Sequence, residues 1–402
     1  MKTVAALSFA AALVLPAFAD STGKAAKPAD NATQVISEQA PRPAAKRLSS
    51  PSELQTIRPG VKAVYGVYVE GPISTSRKVI GSLAGRQIVA IDTPVKVSGM
   101  GKYMGMDPKG NIWYVETRED KVIKINPANY EMTTYYVPKG AAPYSVAVDN
   151  DGVVWATAHG IEMLLELHPD EGYAIAHQPP SHGFLIHINV DRKSNIVWFT
   201  QPGNNQVVSY RTDLGFKEYP SPTKQSGPGR LDFDAEGNVW FPELYTDKLA
   251  RLNPATGEIK EWDTPSKNAL PAGARVDPVD NAVWVNEPMA DALAVFKDGK
   301  WLREYKVPRP GAVVSTNTTD EEGYVWFTEG GWRGSAGGNR IGRLNPETGA
   351  IEEFELPYEN SQPLGMIRGK DDSLWFALVT GARVCRVLPR DKPSDQKLAK
   401  GR

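Results

Sequence analysis

The sequence predicts an all-β fold, a seven-bladed β-propeller of four-stranded antiparallel blades whose ring is closed by an N-terminal strand. Three observations carry this. A tryptophan followed by strand-forming residues recurs at Trp113, Trp155, Trp198, Trp240, Trp284, Trp326 and Trp375, at spacings of 42, 43, 42, 44, 42 and 49 residues. A fixed period in the forties marks a repeat array in which each unit leans on its neighbours. Around the tryptophans stands the phrase Asp-x-x-Gly-x-Val-Trp-Phe-x-Glu, cleanest in Asp234–Glu243 and Asp320–Glu329. The rest of each unit is short apolar runs with turn residues between them, the pattern of a meander.

The fourth unit shows the beats best. Pro228–Phe233 is a short first strand, and Asp234–Gly237 turns the chain with glycine supplying backbone freedom. Asn238–Glu243 returns as the second strand, Lys248–Leu252 is the third, Asn253–Gly257 reverses direction and Glu258–Trp262 is the fourth. One such twisted sheet cannot cover its own faces, whereas seven packed radially can. Ile123–Pro127, Leu165–Pro169 and Ile341–Pro346 repeat the third strand and its turn in other units. Unit seven ends at Arg383–Leu388 and then turns polar, so it lacks a fourth strand. Gln87–Asp92, ahead of unit one, is expected to supply it, which removes the exposed edges of an open sheet.

The flanks read differently. Met1 and Lys2 precede an apolar run from Val4 to Phe18 that ends in Ala17-Phe18-Ala19, the form of a secretory signal peptide over 1–19. It is too short to be a membrane-spanning anchor. A periplasmic or secreted protein is expected. Residues 20–53 are rich in Ala, Pro, Lys and Ser and read as a flexible leader, because they offer little apolar surface to offset the entropy of ordering. Residues 54–93 hold N-terminal strands, Val61–Val69 among them as one alternating run. The array spans 94–388 and a charged tail follows over 389–402. A net charge of −1 in 402 residues argues against nucleic acid as a partner, and Cys385, the single cysteine, excludes an intrachain disulfide. A monomer is expected.

Hairpin geometry places the start of each first strand beside the end of each second strand, at the rim away from the Asp-x-x-Gly turn. Glu116, His159, Gln201, Glu243, Glu287 and Glu329 fall at second-strand ends, and Lys102, Tyr144, His187 and Arg230 at first-strand starts. Carboxylates crowded at one mouth repel unless a cation or a proton intervenes. Glu329 and Glu116 are therefore candidate metal ligands. The alternative is that each Glu holds amides or an Arg of the next blade and simply ties the ring. All five histidines lie between His159 and His187, a departure from repeat symmetry, and a general base needs an imidazole poised near neutral pH. His187 and His159 with Glu243 are the candidate catalytic groups. Tyr144, His182, Arg230 and Glu287 are candidate ligand contacts, joined by Trp332 and Arg333 on the glycine-rich insertion Gly330–Gly338. His168 replaces a turn Asn and His177 sits on an outer strand.

Val325–Glu329, Asn339–Leu344 and Thr348–Phe354 together resemble the virginiamycin B (streptogramin B) lyase family of seven-bladed propellers, and the likeness covers residues 94 to 388. The resemblance implies a small-molecule ligand in the central funnel, a lyase reaction that opens an ester or lactone by elimination, and a divalent cation such as Mg2+. It also implies catalytic His and Glu in the last two units. There this chain has Ser315 and Leu364 where the family pattern has His, and Gln362 and Val379 where it has Glu. Two other readings stand beside it: a non-catalytic module that docks a protein or carbohydrate, and a lactone hydrolase of the gluconolactonase type.

Overall fold

The computed structural model describes residue 50 and residues 63–96, 103–330 and 338–390. The expected signal peptide, nearly all of the leader, and the tail from residue 391 lie outside the described residues. Within them the chain forms seven antiparallel sheets in a ring, four with four strands and three with five. Each blade's strands follow in sequence order from the channel outward, as in Asp232–Phe233, Val239–Glu243, Lys248–Leu252 and Ile259–Asp263 of blade 4.

The tryptophan period has a packing cause. Each repeat Trp inserts into the apolar face of the next blade. Trp198 of blade 3 packs with Leu231, Val239 and Phe241 of blade 4, and Trp240 with Ala274, Val283 and Val285 of blade 5. Trp375 of blade 7 meets Ile112 and Tyr114 of blade 1, which seals the ring. The motif's Asp aims that indole. Asp234 Oδ2 accepts the Trp240 Nε1–H at 2.8 Å while Oδ1 accepts the backbone N–H of Glu236 and Asn238. Asp107, Asp149 and Asp320 do the same for Trp113, Trp155 and Trp326.

Blade 7 takes its fourth strand from Arg86–Asp92, which pairs antiparallel with Arg383–Val387, as the sequence led us to expect. The segment before it differs from expectation. Val61–Val69 is not one strand. Ala63–Gly66 adds a fifth strand to blade 2, and Tyr68–Ile73 adds one to blade 1. Arg77–Leu83 then adds one to blade 7. Val67 lies at the crossing, fully buried, its N–H donated to the Gly172 carbonyl. Period-two alternation survives such a step because side chains keep alternating while the partner strand changes.

Candidate functional site

A cavity of about 510 Å3 occupies the central channel, lined by the first strands of six blades. Its lining is mixed, with Met104, Met106, Val146, Ile188, Val276 and Ile367 beside Asn189, Asp232, Arg275 and Arg368. At one end the Asp-x-x-Gly turns bring exposed Arg192, Lys193 and Ala235 to its lining, so that end is the mouth. The inner end is set by His187 and Arg230, both buried. The strand between His187 and Asp191 makes the depth about 13 Å at the usual rise per residue. The cavity therefore opens at the turn side, opposite the rim that hairpin geometry singled out. What the pattern could not show is that aromatic rings pack together at the expected rim in blades 1 to 3: Tyr103 meets Tyr144 and His187, and Tyr144 meets His159.

Arg230 reaches the channel through a break in blade 4. Pairing of the first strand with the second is confined to Asp232–Phe233 and an isolated bridge at Pro228. Between them Arg230 crosses over, its N–H donated to the Ala272 carbonyl and its own carbonyl accepting from Ala274 N–H in blade 5. Gly229 makes the crossing possible, since a Cβ there would lie 2.7 Å from the Ala272 carbonyl oxygen and from Leu244 Cδ1. The guanidinium stands 5.9 Å from the Tyr103 ring centre. Burial and the neighbouring Arg275 bring its pKa down to about 10, against the pull of Tyr103 and Asp232. Asp232 is otherwise engaged: Oδ1 accepts from Asn189, and Oδ2 from the Val276 N–H with Arg275 Nε at 3.4 Å.

His187 has a defined tautomer. The Leu231 N–H donates to Nδ1 at 3.2 Å. Burial, then Arg230 and Arg275, hold its pKa well below the ordinary value, so the ring is neutral and the hydrogen sits on Nε2. In that form it donates at the cavity and has no free lone pair there to act as a base. His159 is stacked on Phe184 with ring centres 4.5 Å apart and on Tyr144 at 5.6 Å. Burial lowers its pKa, offset in part by the Leu185 backbone.

The carboxylates at the second-strand ends are not gathered at the channel. All four are fully buried, three of them beside a glutamate of the same blade's fourth strand. Glu243 accepts from Ser226 at 2.9 Å and feels Glu261, and its pKa rises to about 7, chiefly through burial. Glu287 neighbours Glu304, and neither of its oxygens makes a hydrogen bond of normal geometry. Glu329 receives Arg309 at 2.6 Å and feels Glu353. Glu116 stands opposite Lys121 in the register of blade 1. A missed signal could have shown this. A Glu directly before an aromatic recurs on the fourth strands as Glu218-Tyr219, Glu261-Trp262, Glu304-Tyr305 and Glu353-Phe354. Ser181, Thr223 and Ser266, in the loops entering blades 3, 4 and 5, donate to Glu218, Glu261 and Glu304.

The structure thus brings His187 and Arg230 together and sets Glu243, Glu287, Glu329 and Glu116 apart from them, each in its own blade. His182 is exposed, 3.9 Å from Glu162. Trp332, Arg333 and Lys102 lie outside the described residues. Among the described residues no group of three or more His, Cys, Asp or Glu is arranged to hold a metal ion, and Glu329 and Glu116 stand in different blades. Reading the sequence also passed over Glu166, which receives His168 at 2.7 Å and His177 at 2.6 Å. Burial would raise its pKa, yet the two imidazoles pull it to about 2. Tyr210 of blade 3 approaches His177 Nδ1 at 3.1 Å, so this cluster ties blade 2 to blade 3. Arg275, Asp232 and Asn189 were missed too. Their signal is a polar or charged residue inside a channel-lining strand.

The model of the virginiamycin B lyase family matches residues 79–275 and again 192–400. The chain belongs to this family. Solved structures agree in fold. A streptogramin B lyase structure superposes with a TM-score of 0.65 at 23% identity, covering 80% of this chain and 97% of that one. Virginiamycin B lyase from Staphylococcus aureus, in selenomethionine form, gives 0.67 at 23% identity over 75% of this chain and 98% of its own. A catalytically inactive variant of that lyase with quinupristin gives the same figures. No curated protein matches the chain. For this virginiamycin B lyase family member, the likeness to solved structures at such identities carries the fold.

Proposed function

We propose that this family member is an exported binding protein that holds a small organic molecule in its central cavity. One observation carries the reading. The channel holds a pocket of about 510 Å3, within the range of small-molecule sites, with a lining of mixed apolar and polar side chains and two donors at its inner end. Export rests on the signal-like residues 1–19. The second reading, ester or lactone opening, is favoured by the family description. His187 as placed donates to a ligand and does not abstract a proton from it, and Glu243 is held away by Ser226.

The test has two arms. In a thermal-shift screen of small organic molecules, hits should raise the melting temperature of the wild type and fail with Asn189→Phe, which fills the channel. Hits that stabilise both proteins equally would place binding elsewhere. Incubation with quinupristin, followed by chromatography, should return the intact ring, and a linear product would overturn the binding-only reading.

A further inference from the structure

The inner end of the cavity poses a chemical problem. Arg230 is 7% exposed, and its guanidinium donates no hydrogen bond to any described residue. A guanidinium carries five N–H donors in a planar fork and is costly to bury without acceptors. The one acid nearby, Asp232, already serves Asn189, the Val276 N–H and Arg275. Beside the fork lies the His187 Nε2–H, unused within the protein because Nδ1 takes the internal bond. Tyr103 backs both groups, edge-on to His187 at 5.6 Å and under Arg230. The two donors are thus fixed in place by their surroundings.

We infer that the ligand is an organic carboxylate whose head seats on the Arg230 fork and the His187 Nε2–H, with its body along the channel. This rests on the small-molecule reading above and names the ligand's class. A carboxylate supplies the planar pair of acceptors that the fork matches, and the third donor takes a remaining lone pair. Along the channel the body meets both apolar residues, Met104, Met106 and Ile367 among them, and the polar Asn189 and Arg275. At the mouth Arg368 pairs with Asp372 at 2.7 Å, and Arg192 and Lys193 donate to the Met106 and Ala235 carbonyls, so recognition of an anion rests on Arg230 and His187.

The experiment pairs each carboxylic acid in a panel of aryl- and alkyl-carboxylates with its primary amide, of equal size but neutral. Binding is read by thermal shift and by calorimetry on the wild type, Arg230→Met and Arg230→Lys. Acids should bind the wild type at least tenfold tighter than their amides. Arg230→Met should abolish that preference. Arg230→Lys should keep a reduced preference. Equal binding of acids and amides would overturn the carboxylate assignment and leave the binding reading intact. Binding of neither would overturn both, and a preference that persists in Arg230→Met would place the anion elsewhere.

Discussion

A carboxyl group buried beside a second carboxyl keeps its proton at pH values where a free one has lost it. Glu287 is the extreme case. Burial, and then Glu304, push its pKa from 4.5 to about 9, while Glu304 accepts from Ser266 and Lys306 and stays ionised. The folded protein therefore binds a proton that the unfolded chain releases above pH 4.5. Stability linked to this group falls as pH rises from about 4.5 to about 9, and is constant beyond. Glu287→Gln fixes the neutral form. Urea unfolding across that range should show the variant near wild type at pH 5 and more stable by several kcal/mol at pH 9, since each tenfold change in proton affinity is worth about 1.4 kcal/mol. A difference that does not change with pH would show Glu287 to be ionised in the fold. The position of these glutamates was legible in the sequence and their direction was not. Glu243 lies three residues after Trp240, an odd step, so it faces away from that ring's side of the sheet, and its partner Glu261 comes from a different strand. Of the site itself, His187 and Arg230 could be found as breaks in repeat symmetry. Their tautomer and lack of partners depend on contacts between blades 3, 4 and 5.

At the scale of the element, the first hairpin of blades 1, 2, 4 and 6 is organised by one aspartate. Asp234 binds the turn through Oδ1 and aims Trp240 through Oδ2, so one side chain sets both the reversal and the interface with the next blade. Asp234→Ala leaves a buried indole N–H and two turn amides without their acceptor. The expected loss is about 2–4 kcal/mol, given 1–3 for one buried unsatisfied group and less for the partly solvated amides. Equilibrium denaturation measures it, and a loss below about 0.5 kcal/mol would remove Asp234 from this role. This economy explains why the fold could be read so fully. Each motif residue does a job repeated in most blades, so the period of the tryptophans reports the geometry directly. Ala63–Gly66 and Tyr68–Ile73 were harder because a fifth strand has no repeat to announce it, and alternation does not say which sheet edge it joins.

At the scale of the whole molecule, the ring is closed twice. Arg86–Asp92 completes blade 7 by pairing with Arg383–Val387, and the chain ahead of it lies along the outer edges of blades 2, 1 and 7 in turn. That belt crosses the seam and buries Tyr65, Val67 and Leu83. At about 1.5–3 kcal/mol per buried apolar side chain, removing residues up to 83 should lower the melting temperature by roughly 5–10 °C while the ring stays formed. Calorimetry of the shortened chain tests this, and an unchanged transition would make the belt an ornament.

The seam also dictates a timetable. The strand that locks the last blade is synthesised first, and its partner emerges roughly 300 residues later. A nascent chain can stack its middle blades as they appear, yet it cannot latch until ribosomal synthesis is nearly finished. Until then the seam stays open, and the outer edge of the last blade waits for a strand made long before it.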